Sequence, residues 1–299
     1  MSENQPIRAH VLRAIAANRE PGFHFAGNLL DLSFDKVEPQ DTRLSLDVAP
    51  HLADADGQLN IGALAMLADF GLAGCMRATL EPHQRLATVS LTLEFAALPR
   101  TGRLEARSTF AGFVREGRGS VGKGEVRIAS DRGTICVGTG AFMALDPPAG
   151  VKLHPVPHRN RRSPPTRPLR ESDLTDGEKE IVRRAEEAIL HPKPSFIERF
   201  WGLAGASMEN GPHVGNRVGH AQGGVLLGLA ASAACRALPA SWRLSSISGW
   251  YLRPGQGSPL TAATTVLHQG RLTAVARTPV ADPHGRTVID VMTTHALAS

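Results

Sequence analysis

The stretch IGALAMLADFGLAGCM, residues 61–76, decides the fold. It runs for sixteen residues with a single polar side chain, Asp69. A helix this apolar needs cover on nearly every side, and a twisted antiparallel sheet curled around it supplies that cover. An unpartnered buried charge is costly, so a folded chain keeps such a carboxylate paired, protonated or exposed in a working cleft. The plainer alternative, in which Asp69 faces solvent on a partly exposed turn or bonds nearby backbone, stays open at this point.

Reading outward, strand-like segments follow the apolar stretch at 86–95, 102–113, 119–130 and 133–145, and a helical pattern at 7–18 and extended segments at 23–36 and 41–48 precede it. Residues 146–176 hold Pro147, Pro148, Pro155, Pro157, Pro164, Pro165 and Pro168, a density that excludes helix and central strand and marks a linker. Beyond it the pattern returns. A charged helix is expected at 177–190, extended segments within 195–209, an apolar helix at 223–238, and strands at 242–252, 258–267, 271–281 and 285–297. Punctuation agrees as well: Phe95, Pro99 and Gly102 correspond to Tyr251, Pro254 and Gly257, and Asp131, Gly133 and Thr134 to Asp282, Gly285 and Thr287, at offsets of 151–156 residues. The shared order argues for a duplicated unit. The expected domains are therefore 1–145 and 177–299, joined by the 146–176 linker.

The two units differ in chemistry. Seven residues separate Gly62 from Asp69, and the same step from Gly224 reaches Ala231, which has no functional group. Conversely, the loop NRVGHAQGG (216–224) carries Gly223 and Gly224 where DADGQLNIG (54–62) has Ile61 and Gly62. Glycine permits close approach of a ligand to the backbone, and a helix N-terminus receives negative charge on its free N–H groups. A tight loop-to-helix junction would use the same glycines.

Composition bounds the rest. At 299 residues, 42% hydrophobic and 20% charged, the chain has the makeup of an ordinary soluble protein with room for two domains. Cys75, Cys136 and Cys235 are scattered with no CxxC pair, so no disulfide framework or metal site is implied and a reducing, cytoplasmic setting is expected. The opening MSENQPIRAH carries no readable secretory signal. The longest apolar stretches fall short of the roughly eighteen residues of a membrane span, so no membrane partner is expected. Much of the +5 charge lies in Arg159, Arg161, Arg162, Arg167 and Arg170, a solvated linker or a contact for phosphates. No aromatic stacking platform accompanies them, so nucleic acid is not an expected partner.

These residues resemble the hotdog-fold thioesterases of the phenylacetyl-CoA and 4-hydroxybenzoyl-CoA type. Their signature is an Asn, a Gly three residues later and a His-Gly-Gly, then an apolar helix with a carboxylate seven residues past the last glycine. The second half matches the opening with Asn216, Gly219, Gln222, Gly223 and Gly224, Gln222 replacing the usual His; the first half matches the ending with Gly57, Gly62 and Asp69, and departs at Asp54, Asn60 and Ile61. The resemblance implies an α+β chain of two tandem hotdog domains, each a long central helix wrapped by a curved antiparallel sheet. It also implies hydrolysis of an acyl-CoA at one site shared by the halves, with Asp69 and the Gly223 amide as its centre and the Ala231 side inactive.

Gln222 and Asn216 are expected as polar helpers or as amides satisfying loop backbone. Gly224, His220, Thr88 and Ser245 are expected near substrate, with Ser246 beside them; strand hydroxyls and a loop histidine also have plain structural uses. Coenzyme A enters as part of the substrate, so no separate cofactor is expected. A homodimer of such chains is compatible with the resemblance. The alternatives are a non-catalytic acyl-CoA-binding protein and a hotdog hydratase or dehydratase, which needs a His paired with a helix carboxylate or an Asp-x4-His element.

Overall fold

A computed structural model describes residues 4–81, 84–114, 120–147, 150, 154, 166–191 and 193–298. Arg159, Arg161 and Arg162 of the linker, most of its prolines, and His83 lie outside the described residues.

Two long helices form the centre, α3 (Ile61–Arg77) and α6 (Gly223–Arg236), and both are apolar nearly all round. Around them runs one antiparallel sheet. The first half supplies β1 (Ser33–Lys36), β2 (Thr42–Asp47), β3 (Arg85–Phe95), β4 (Arg103–Phe113), β5 (Val121–Ser130) and β6 (Gly133–Leu145). The second half supplies β7 (Ser207–Met208), β8 (Trp242–Tyr251), β9 (Leu260–Ala262), β10 (Thr265–Gln269), β11 (Thr273–Ala281) and β12 (Thr287–Leu297). The order is β1-β2-β4-β5-β6-β3-β8-β12-β11-β9-β7, with β10 pairing β11. Strands β2 to β6 pack on α3, and β8, β9, β11 and β12 pack on α6. Each helix thus finds the cover its apolar surface demands.

Three contacts between the halves bear on the site. Strands β3 and β8 pair antiparallel, from Ser90 opposite Trp250 to Glu94 opposite Ser246, making the sheet continuous. Outside the sheet, α1 (Asn4–Asn18) packs on α4 (Asp176–Ile189), with Arg8 bonded to Glu186 and Glu171, and Arg19 to Glu178. Inside it, α3 lies directly on α6. A Cβ on Gly228 would lie 2.8 Å from the Gly62 Cα, and one on Gly224 would lie 2.7 Å from the Met66 backbone nitrogen. The backbones therefore touch, and only glycine permits that spacing.

The loops before the two helices share a design. Asp54 Oδ1 accepts from the N–H groups of Asp56 and Gln58, while Asn216 Oδ1 accepts from those of Val218 and His220. Gly57 and Gly219 take φ of 75° and 78°, and bridges Ala53 to Leu59 and Gly215 to Ala221 close the loops. The same hydrogen-bond pattern thus recurs 162 residues apart with Asp in one loop and Asn in the other.

Two segments differ from the expectation of extended structure. Within 23–36, α2 (Phe25–Leu29) is a short helix, and all five of its residues are buried. An apolar run of this length cannot be told from strand by periodicity alone. Within 195–209, α5 (Phe196–Phe200) is helical because Ser195 and Glu198 form a capping box, each side chain accepting from the other's backbone N–H. The expected strand at 258–267 divides into β9 and β10.

The helix contact makes a prediction. Alanine is the better helix former by about 1 kcal/mol, yet Gly228→Ala is expected to destabilise the chain by about 1–3 kcal/mol, because its methyl meets backbone that cannot rotate away. Urea unfolding of the two proteins measures the difference.

Candidate active site

Asp69 sits two turns into α3, buried at 7% exposure. It does not face solvent, and its partners are side chains from other elements. Thr88 Oγ1 donates to its Oδ1 at 3.0 Å, and Gln222 Nε2 donates to its Oδ2 at 3.1 Å. Thr88 lies where the β3–β6 register shifts, between Thr88 and Ser90, an irregularity of the kind that re-aims a strand side chain.

Gln222 is the N-cap of α6, and its two ends do different work. The Oε1 accepts from the N–H groups of Gly224 and Val225, while Nε2 reaches the carboxylate across the helix pair. The Leu226 N–H bonds the Gln222 carbonyl in the ordinary helical manner. Of the first-turn donors this leaves the Gly223 N–H, which has no partner among the described residues and lies on the wall of the same cavity as Asp69. A free N–H at the positive end of a fourteen-residue helix is a receptor for developing negative charge.

Burial pushes the Asp69 carboxyl up to about 6, against the opposing pull of the Thr88 and Gln222 hydrogen bonds. Tyr251, at the end of β8, was not expected from the sequence. Its hydroxyl donates to the Gly223 carbonyl at 2.9 Å, and burial, then the nearby Asp69 charge, raises its pKa. It is the one tyrosine in the chain, a weak sign at best.

A cavity of about 420 Å³ opens from this centre. Phe23, Phe34, Phe70 and Phe142 line it together with Arg77, Arg85, Arg217 and Arg253. Among the described residues none of the four arginines is paired with a carboxylate; each donates to a backbone carbonyl instead. Burial, then the charge of Arg217, brings Arg77 down to about 10. No cluster of three His, Cys, Asp or Glu side chains suited to a metal occurs among the described residues.

The remaining sequence candidates sort by position. Asn216 lines the cavity, but its oxygen is held by the Val218 and His220 backbone, the duty Asp54 performs in the other half. It is a loop residue rather than a partner of the carboxylate. His220 lines the cavity, and its Nε2 accepts from the Gln256 amide at 2.7 Å rather than meeting Asp69. Gly224 packs against the other helix, where a Cβ would meet Met66, and its N–H is taken by Gln222. Likewise the space beside Gly223 holds the Tyr251 ring, 3.1 Å from where a Cβ would stand.

Ser245 donates to the Thr294 carbonyl at 3.1 Å and Ser246 pairs with the Thr294 hydroxyl, both away from the cavity. The reason is the antiparallel register. Ser246 lies opposite Glu94 while Trp250 lies opposite Ser90, so the position on β8 matching Thr88 falls at the other end of the junction.

Comparison with known proteins follows this geometry. Residues 212–296 match the family model of the acyl-CoA thioesterase N-terminal domain. Among solved structures, the chain is similar to a provisionally named oleoyl thioesterase from Lactobacillus plantarum, at 11% identity over 86% of this chain and 95% of that one, TM-score 0.54. It is similar to the 12:0-ACP thioesterase from Umbellularia californica, at 10% identity over 85% and 92%, TM-score 0.52. A provisionally named thioesterase from Novosphingobium aromaticivorans matches at 17% identity over 89% and 100%, TM-score 0.50. No curated protein sequence matches the chain. The structural likeness establishes the hotdog fold, and the family match supports a thioesterase acting on acyl-CoA.

The raised carboxyl predicts a pH-dependent stability effect. Ionised Asp69 costs the folded state, and this cost is absent below the ordinary value of 3.8, grows as pH rises, and is complete above about 6. Asp69→Asn is therefore expected to unfold at higher temperature than the native chain at pH 8, by an amount on the order of 1–3 kcal/mol. The advantage should fade between pH 6 and 4, which thermal melts at several pH values would show.

Proposed function

We propose that the chain hydrolyses acyl-CoA thioesters at a single site formed by both halves, which are tandem hotdog units. The observation that carries this reading is the Gln222 side chain, which caps α6 with its oxygen while its nitrogen holds Asp69 of the other half. Carboxylate and helix N-terminus are thereby held against one cavity.

In the mechanism, the thioester carbonyl oxygen lies against the Gly223 N–H, where the helix end stabilises the oxyanion. Asp69 in its ionised form takes a proton from water as the water oxygen bonds the carbonyl carbon; collapse of the adduct breaks the C–S bond, and the thiolate leaves and is protonated. In the other route Asp69 Oδ bonds the carbonyl carbon, expels the thiolate and leaves an anhydride that water opens. Both give free acid and CoA thiol. Thr88 and Gln222 orient the carboxylate, and Tyr251 holds the Gly223–Gly224 peptide by its carbonyl, next to the peptide that carries the Gly223 N–H. The four cavity arginines suit the phosphates of the coenzyme A portion, which is substrate and not cofactor.

The other half lacks these groups. Ala231 stands where Asp69 would, and Ile61 where Gly223 would. The hydratase reading fares poorly, since the partners of Asp69 are Thr88 and Gln222 and neither is a histidine. A reducing, cytoplasmic setting accords with Cys75, Cys136 and Cys235, all free. Among the described residues no helix is long and apolar enough to cross a membrane. Pairing of two such chains would use surfaces outside this site.

Thiol release measured over a panel of acyl-CoAs tests the reading. The native chain should turn over at least one class, and Asp69→Asn should lose on the order of a hundredfold or more in kcat, the scale of a general base. Turnover by the variant equal to the native chain would reassign the catalytic group, and binding of acyl-CoA without turnover by the native chain would establish a binding protein. Activity should also rise with pH along a limb centred near 6, because only ionised Asp69 accepts a proton. Asp69→Asn should abolish that limb.

A further inference from the structure

The aromatic part of the cavity contains one polar side chain without a partner. His24 packs against Phe23 and Phe70, with ring centroids 4.9 and 5.5 Å away, and is 7% exposed. Neither Nδ1 nor Nε2 has a hydrogen-bond partner among the described residues. The residue stands at the N-cap position of α2, yet its side chain makes no cap; only its backbone carbonyl is engaged, by the Asn28 N–H. His10 and His51 by contrast both bond the Leu29 carbonyl; His213 Nε2 and His295 Nδ1 also lack partners among the described residues, but neither residue lines this cavity. Burial of His24, with a smaller contribution from Arg217, lowers its pKa to about 3, so the ring is neutral throughout the working range. A neutral imidazole offers one N–H donor and one nitrogen acceptor. Phe70 connects it to the centre, being the residue after Asp69 on α3.

We infer that His24 is a specificity-determining residue that hydrogen-bonds a hydroxyl carried by the acyl group, so that the preferred substrates are hydroxylated acyl-CoAs. A hydroxyl both donates and accepts, and so matches a neutral imidazole in either tautomer. The phenylalanines around it cover the carbon skeleton. A pocket made to bond a hydroxyl disfavours the analogue lacking it, because the imidazole is then left desolvated and unsatisfied. Neither the Asp69 chemistry nor the arginines require this residue, which makes it separable by mutation.

The inference rests on the thioesterase reading for its assay but not for its outcome. Matched pairs of acyl-CoAs with and without a hydroxyl, straight-chain and ring-bearing, are compared by kcat/KM in the native chain, His24→Phe and His24→Asn. In at least one pair the native chain should favour the hydroxylated member by about tenfold or more. The ratio should fall to near one in His24→Phe through loss on that member alone, and recover in part in His24→Asn. A native ratio of one or below in every pair, or one that His24→Phe leaves unchanged, overturns the inference. If no acyl-CoA is hydrolysed, the thioesterase reading falls, and the same ratios are read from dissociation constants of thioether analogues, with the same two outcomes deciding. Unfolding midpoints of both variants identify a folding defect; should His24→Phe have one, His24→Asn and His24→Leu carry the comparison.

Discussion

One carboxamide holds the candidate site together. Gln222 caps the helix of one half and grips the buried carboxylate of the other, and both tasks need the same orientation of its oxygen and nitrogen. Turning the amide over would aim its donor at helix N–H groups and its acceptor at a carboxylate, two repulsions in a low-dielectric interior. The geometry is consequently single-valued. It also leaves the Gly223 N–H outside the clasp, on a residue that lines the same cavity as Asp69.

That arrangement depends on how closely the central helices approach. Gly62, Gly224 and Gly228 bring their backbones into contact, and the side chain of Gln222 can then span to Asp69. The sheet enforces the approach from outside, since β3 and β8 pair at its middle and each half covers its own helix. Packing and chemistry therefore draw on the same residues. Asp69 is held with its carboxyl raised to about 6, a state a stability-driven design would avoid and an acid–base site uses.

The two halves share a loop design while differing in the side chains they place on it. Both helix-entry loops keep their carboxylate or carboxamide on the backbone, Asp54 in one and Asn216 in the other. Both helices keep an amide N-cap, Asn60 on the Gly62 N–H and Gln222 on Gly224 and Val225. Only the longer side chain reaches across to a carboxylate. The loop architecture recurs because backbone groups must be satisfied in either half, whereas of the two positions seven residues past Gly62 and Gly224 only Asp69 carries a carboxylate, the other being Ala231.

Much of this was legible in the sequence. An apolar run with one acid, a repeated order of strands and turns, and a proline-dense joint are local patterns, and periodicity reports them directly; Asp69, Gly223 and Gln222 stand out by type and spacing. The short helices α2 and α5 were missed, the first because five residues are too few to show a period, the second because the Ser195–Glu198 capping box went unread. What only the tertiary structure decided is which side chains converge. Thr88 and Tyr251 reach the site through a register shift and through pairing of strands 150 residues apart, while Ser245 is carried to the opposite end by that same antiparallel register. His24 and the four arginines join one cavity wall from separate elements. Periodicity records which face of its own element a residue occupies, and convergence is a property of how the elements pack on one another.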